Sequence, residues 1–147
     1  MNITTVCKTF ADLSPAELYD ILQLRAAVFI VEQNCPYLDL DGKDPRCYHL
    51  MVRAEQLIAY ARLVPPGVSF EEMSIGRIVT SGAVRGKGIG KALLNAAIPM
   101  CYEKFNRGQI RIGAQLYAKG FYEQFGFEQA SEIYLEDGIE HIEMIKP

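Results

Sequence analysis

Apolar residues recur along the chain with two periods, and each change of period marks an element. Leu18, Ile21, Leu22 and Ala26, with Phe29 beyond them, keep the three-and-four spacing of one helix face and predict a helix with a buried side. Ser14-Pro15-Ala16-Glu17 opens it: Ser14 can cap, Glu17 can close a capping box, and Pro15 stands where its missing N–H costs nothing. Ile3–Phe10 reads as a weak first strand. After a turn-rich stretch from Asn34 to Arg46, Cys47–Ala54 and Leu57–Val64 read as strands around Glu55-Gln56, and Ser74–Thr80 as a third. Ile89, Leu93, Leu94, Ala97, Ile98, Cys101, Tyr102 and Phe105 return to helical spacing. They predict a long helix from about Gly88 to Phe105, with Pro99 expected to kink it or loosen one turn. Ile110–Ala114 is a short strand and Tyr117–Phe125 a short helix. Phe127–Leu135 and Ile139–Ile145 are closing strands around Asp137-Gly138. The order β-α-β-β-β-α-β-α-β-β predicts one α/β domain over residues 1–147, built on a mixed sheet.

Composition narrows the classes of function. At 147 residues, with 50% hydrophobic and 22% charged positions, the chain can bury a sizeable core. A net charge of −3 argues against a nucleic-acid partner, which selects a clearly basic face. Cys7, Cys35, Cys47 and Cys101 form no C-x-x-C pair, and with only His49 and His141 beside them no zinc-ligand spacing emerges. Reduced thiols and no metal are expected. Met1–Phe10 lacks a signal-peptide apolar run, and no stretch approaches the ~20 apolar residues of a membrane span. A cytoplasmic protein without a membrane partner is the expectation; the oligomeric state stays open, a homodimer included.

The segment Ile78–Ala92 carries the chemistry. It runs from strand through a glycine-rich turn into the long helix. Gly86, Gly88 and Gly90 let the backbone approach a bulky anion, and unpaired N–H groups at the helix start offer a phosphate site. Arg85, Lys87 and Lys91 add positive charge. The nucleoside-triphosphate loop G-x-x-x-x-G-K-[ST] fails by one residue, and by Gly88 or Ala92 where a hydroxyl belongs. The dinucleotide pattern G-x-G-x-x-G fails at Lys91. What matches is R-x-x-G-x-G, at Arg85, Gly88 and Gly90.

That pattern, between a strand and a long amphipathic helix, resembles the acetyl-CoA-binding motif of the GNAT superfamily of N-acetyltransferases. Ala118–Phe127 resembles the family's second signature, A-x-x-F-Y-x-x-x-G-F. The resemblance implies the GNAT fold, a mostly antiparallel mixed sheet flanked by helices. It also implies acetyl-CoA as co-substrate and transfer of the acetyl group to an amine. Tyr122 matches the tyrosine that assists the departing sulfur; a phenol can donate a hydrogen bond or proton as charge develops there. The diphosphate is expected on the main chain of Arg85, Gly86, Lys87, Gly88, Ile89, Gly90 and Lys91. The pantetheine arm is expected along the edge of Ile78, Val79 and Thr80, where a main-chain N–H can steady the thioester oxygen. Gln115 stands at the strand end where many members have asparagine. Leu24–Tyr37 and Asp39–Asp44 further resemble the ElaA branch of the superfamily.

Several constellations stay open at this level. A general base is required, because an amine of pKa near ~10 arrives protonated; His49, His141, Glu71, Glu72 and a water chain are the candidates. Glu32 and Gln33 follow the first helix, where an acidic group would attract an ammonium. Asp39, Asp41 and Asp44 invite a calcium reading, but Lys43 takes the third ligand position and Gly42 comes too early, which favours a polar turn near the acceptor pocket. A covalent cysteine route, a non-catalytic acyl-CoA-binding module and an acyl-homoserine-lactone-type synthase, suggested by Arg25 with Val28-Phe29, are the rivals.

Overall fold

The computed structural model describes residues 2–147. Strand β1 (Thr4–Thr9) leads to helix α1 (Pro15–Arg25), which begins as its capping box predicts. Ser14 Oγ accepts from the Glu17 N–H at 3.0 Å, and the Glu17 carboxylate accepts from the Ser14 N–H at 2.8 Å. The helix then widens into a π-helical stretch, Ala26–Glu32. Its inward stripe is Ile21, Arg25 and Val28, while Ala26, expected on the buried face, is exposed. An apolar count misses this stripe because its centre is an arginine.

Strands β2 (Tyr48–Arg53), β3 (Leu57–Val64) and β4 (Ser74–Thr80) join β1 in an antiparallel sheet of order β1-β2-β3-β4. Helix α2 spans Ile89–Phe105 without interruption; Pro99 lies on its exposed side, so the predicted kink does not break the helix. Strand β5 (Ile110–Gln115) is followed by a 3-10 turn at Leu116–Ala118 and helix α3 (Lys119–Glu123), which together replace the single short helix expected there. The expected strand Phe127–Leu135 is two pieces, β6 (Glu128–Gln129) and β7 (Tyr134–Glu136), both paired with β8 (Ile139–Lys146). The break falls where Ser131 Oγ accepts from the Glu143 N–H at 2.8 Å, a side chain taking a ladder donor.

Alternation along β2 and β3 sends Leu50, Val52, Ala61 and Leu63 to a core shared with α2, and Met51 and Tyr60 to a smaller core under α1. The two helices therefore cover opposite faces of the first sheet. The second sheet, with β8 between β5 and β6, meets the first at one parallel bridge, Met73 with Ile110, where the Arg111 N–H donates to the Met73 carbonyl at 3.0 Å. Beyond that bridge β4 and β5 form no ladder among the described residues. The gap between them is the candidate site.

Candidate active site

A cavity of about 1000 Å³ fills the parting between the sheets, lined by β4 from Ile75 to Thr80 and by Gly113, Ala114 and Gln115 of β5. Of the residues expected from the sequence to meet the coenzyme, Ile78, Val79, Thr80, Arg85, Gln115 and Tyr122 line it. Gly86, Lys87, Gly88, Gly90 and Lys91 form the turn that continues from Arg85, whereas the Ile89 side chain is core.

The turn leaves a run of main-chain donors unengaged. Gly86 and Gly88 take φ of 78° and 77°, in the left-handed region that side chains resist, and a Cβ at either would meet open space. Gly88 caps α2 with no side-chain bond, and the first intrahelical bond runs from the Ala92 N–H to the Gly88 carbonyl at 3.1 Å. The N–H groups of Ile89, Gly90 and Lys91 therefore have no helical acceptor, at the positive end of a 17-residue helix. Gly90 is different: a Cβ there would lie 3.6 Å from Phe121, an ordinary contact, so packing does not demand glycine. The Arg85 guanidinium is engaged elsewhere, by both oxygens of Glu32 and by the Thr80 carbonyl at 3.2 Å. Its hydrogen bond holds the Glu32 carboxyl below the usual range. Glu32, read in the sequence as bait for an ammonium, is thus a clasp between α1's extension and the turn.

Tyr122 is a buried part of the cavity lining, in edge contact with Phe121 and Phe127. Burial pushes its phenol well above the ordinary tyrosine pKa, and no group among the described residues hydrogen-bonds it. Its hydroxyl therefore stays protonated. Gln115 Nε2 donates to Gln33 Oε1 at 3.2 Å, so the two glutamines close one wall together.

On the opposite wall β4 is irregular. Tyr60 pairs with Val79 and Arg62 with Gly76, so Arg77 and Ile78 face the single residue Ala61. This β-bulge turns on Arg77, which has φ of 48°, a strained value for a residue with a long side chain.

The base candidates separate cleanly. His49 has no exposed surface; its Nε2–H donates to the Asp44 carbonyl at 2.9 Å and its Nδ1 accepts from Tyr60 Oη–H at 2.7 Å. Burial lowers its pKa, and it lies outside the cavity lining. Glu72 is paired with Arg111 through both oxygens at 3.0 Å, and Glu71 is exposed away from the cavity. Only His141 of the four lines the cavity. Its Nδ1–H donates to the Ile139 carbonyl at 2.8 Å, which turns Nε2 away from the main chain, 3.4 Å from Glu136 Oε2.

Reading the sequence missed the most extended charged cluster among the described residues. The three loop aspartates alternate with three arginines in a closed ring. Arg25 Nε meets Asp39 at 2.8 Å, Asp39 meets Arg77 at 2.7 Å, and Arg77 reaches Asp41 at 3.4 Å. Asp41 meets Arg62 at 2.7 Å, Arg62 meets Asp44 at 3.0 Å, and Asp44 returns to Arg25 at 2.8 Å. Three positive and three negative charges balance in a largely buried place. The ring ties α1, β3 and β4 to the loop that supplies Tyr37, Leu38 and Lys43 to the cavity wall. Arg25, whose setting suggested a lactone-synthase kinship, is structural and fully buried. A readable signal existed: Arg62 and Arg77 interrupt strands, and a buried arginine demands carboxylates.

An α/β fold whose sheets part around a cavity, with a glycine-capped helix at one end and a protonated tyrosine within, defines a class of acyl-transfer domains, and comparison with known proteins agrees. Residues 22–147 match the acetyltransferase (GNAT) domain model. The chain belongs to the GNAT acetyltransferase family and is a transferase. It is 40% identical over 139 residues to protein ElaA of Escherichia coli K12, covering 92% of this chain and 91% of that one. It is 41% identical over 147 residues to a UPF0039 protein of Synechocystis, covering 99% and 96%. The structure of an acyl-CoA N-acyltransferase from Pseudomonas aeruginosa superposes with a TM-score of 0.95 at 40% identity, over 99% of this chain and all of that one. The structure of E. coli ElaA does so at 0.93 and 38%, with the same coverage. No helix of the described residues is long and apolar enough to cross a membrane.

Proposed function

We propose that this chain is an N-acetyltransferase that moves the acetyl group of acetyl-CoA to a primary amine of a small molecule or peptide, by direct attack in a ternary complex. The observation that carries the reading is the cavity itself. It runs from Arg85, where the glycine turn before α2 begins, past the free edge of β4, to Tyr122 and His141.

In this reading the main-chain N–H groups of residues 86–91 hold the diphosphate, with Lys87 and Lys91 adding charge. The pantetheine arm lies along Ile78–Thr80 as an added strand, and Gln115 helps close the wall. An N–H of the Arg77–Ile78 bulge meets the thioester oxygen, where negative charge grows as the amine attacks. The incoming ammonium loses a proton to His141 Nε2, and Glu136 offers the opposite charge to the imidazolium. The nitrogen–carbon bond forms, the carbon–sulfur bond breaks with its electron pair leaving on sulfur as a thiolate, and the second proton shed by the nitrogen ends on that sulfur, giving the free thiol. Tyr122 donates its hydrogen bond to that thiolate. Its raised pKa favours holding the sulfur over surrendering the proton outright, since the thiol, near ~8.5, is the stronger acid.

The test is a thiol-release assay across a panel of primary amines, with the protein and its Tyr122→Phe variant. Acetyl-CoA affinity should stay within about twofold, while turnover falls about 10- to 150-fold, the worth of one hydrogen bond to a charged group. Retained binding with no turnover on any amine would refute catalysis and leave a coenzyme-binding module.

A further inference from the structure

Strain and charge meet at one residue of β4. Arg77 combines the left-handed backbone of the bulge, φ of 48°, with a side chain anchored in the arginine–aspartate ring. Its Nη2 donates to the Asp39 carbonyl at 2.8 Å, and its Nε contacts Asp39 Oδ1 at 2.7 Å without the alignment of a hydrogen bond. The guanidinium also lies over the Tyr37 ring, 5.9 Å from its centre. Asp39 is itself fixed from behind by the buried Arg25. A left-handed non-glycine residue persists only where its surroundings over-determine it, and here they do so through the side chain.

We infer that Arg77 is a positioning residue whose anchored guanidinium holds the β4 bulge open, so that a main-chain N–H of Arg77–Ile78 faces the thioester oxygen. The inference rests on the proposed acetyl-CoA reading. It also explains why the ring reaches β4. The loop that walls the cavity and the strand that polarises the thioester are locked to the same carboxylates, so they keep a fixed spacing. Without the anchor, an alanine at 77 relaxes toward ordinary strand geometry and withdraws the donor. A glycine, which takes positive φ freely, keeps the bulge although the anchor is gone.

The experiment is isotope-edited infrared spectroscopy of acetyl-CoA labelled at the thioester carbonyl and bound to the full chain, with affinity measured in parallel by calorimetry. The wild-type protein should lower the carbonyl stretching frequency relative to free acetyl-CoA. Arg77→Ala should lose that shift with affinity changed less than about threefold, and Arg77→Gly should keep most of it. Retention of the full shift in Arg77→Ala overturns the proposal, as does equal loss in the glycine variant. Should the alanine variant fail to fold, Arg77→Lys carries the test, with a reduced shift expected and an unchanged one overturning it. Binding without any shift in the wild-type protein overturns this inference alone. No binding at all overturns the acetyl-CoA reading and this inference with it.

Discussion

Replacing Arg25 with methionine tests whether the ring holds this fold together. Methionine approximates the length of the arginine stem and fills the space beneath Tyr60, so the change is chiefly one of charge. Arg25 has no exposed surface and bonds to Asp39 and Asp44, both buried. Its loss leaves three carboxylates facing two guanidiniums, one uncompensated negative charge in a poorly solvated place. Breaking such a pair costs about 3–5 kcal/mol, a large share of the roughly 5–15 kcal/mol that holds a domain folded. At about 2–4 °C per kcal/mol for a chain near this size, the midpoint should fall by roughly 6–20 °C. Arg25→Met with Asp44→Asn restores neutrality, and the double variant should be less destabilised than the sum of the singles by about 1–3 kcal/mol. Acid adds an independent signature. Burial works to raise the carboxyls of Asp41 and Asp44, but arginine hydrogen bonds and charge outweigh it and hold both below the normal range. A depressed folded pKa contributes stability above the unfolded value, near ~4, and loses it as pH falls toward the folded one. The wild-type protein should therefore weaken steeply below about pH 4, and Arg25→Met, with less to lose, should do so more gently. Circular dichroism during thermal and urea unfolding at several pH values reads all of this. A loss under about 1 kcal/mol, or strict additivity in the double variant, would refute the reasoning.

Two further outcomes follow from the site. Gly88→Val places a β-branched side chain at a φ of 77°; it should cost about 1–2 kcal/mol in urea unfolding and weaken acetyl-CoA binding in calorimetry, since the turn must re-form to hold a diphosphate. His141→Asn should leave acetyl-CoA affinity unchanged and lower turnover on the best amine of the panel by roughly 10²–10⁴-fold, the range for a positioned base; a smaller loss would point to water as the proton acceptor.

Much of the molecule was legible in the chain. The capping box at Ser14–Glu17, the long amphipathic helix and the Arg85–Gly90 turn are local devices, written in adjacent residues and obeyed in the fold. Tyr122, part of a contiguous signature, could be singled out from the chain, and it lines the cavity. The sequence could not choose among His49, His141, Glu71 and Glu72, since the choice depends on which of them the sheets turn toward the cavity. Nor could it show that Arg85 is clasped by Glu32, 53 residues away, or that a bulge sits on Arg77. Apolar period and glycine spacing act within a few turns of backbone, so they determined the main elements and the glycine turn. Charge balance in a buried place is a sum over partners from distant elements. Only the folding of α1, β3, β4 and the aspartate loop onto one another decided the ring, and with it the shape of the cavity wall.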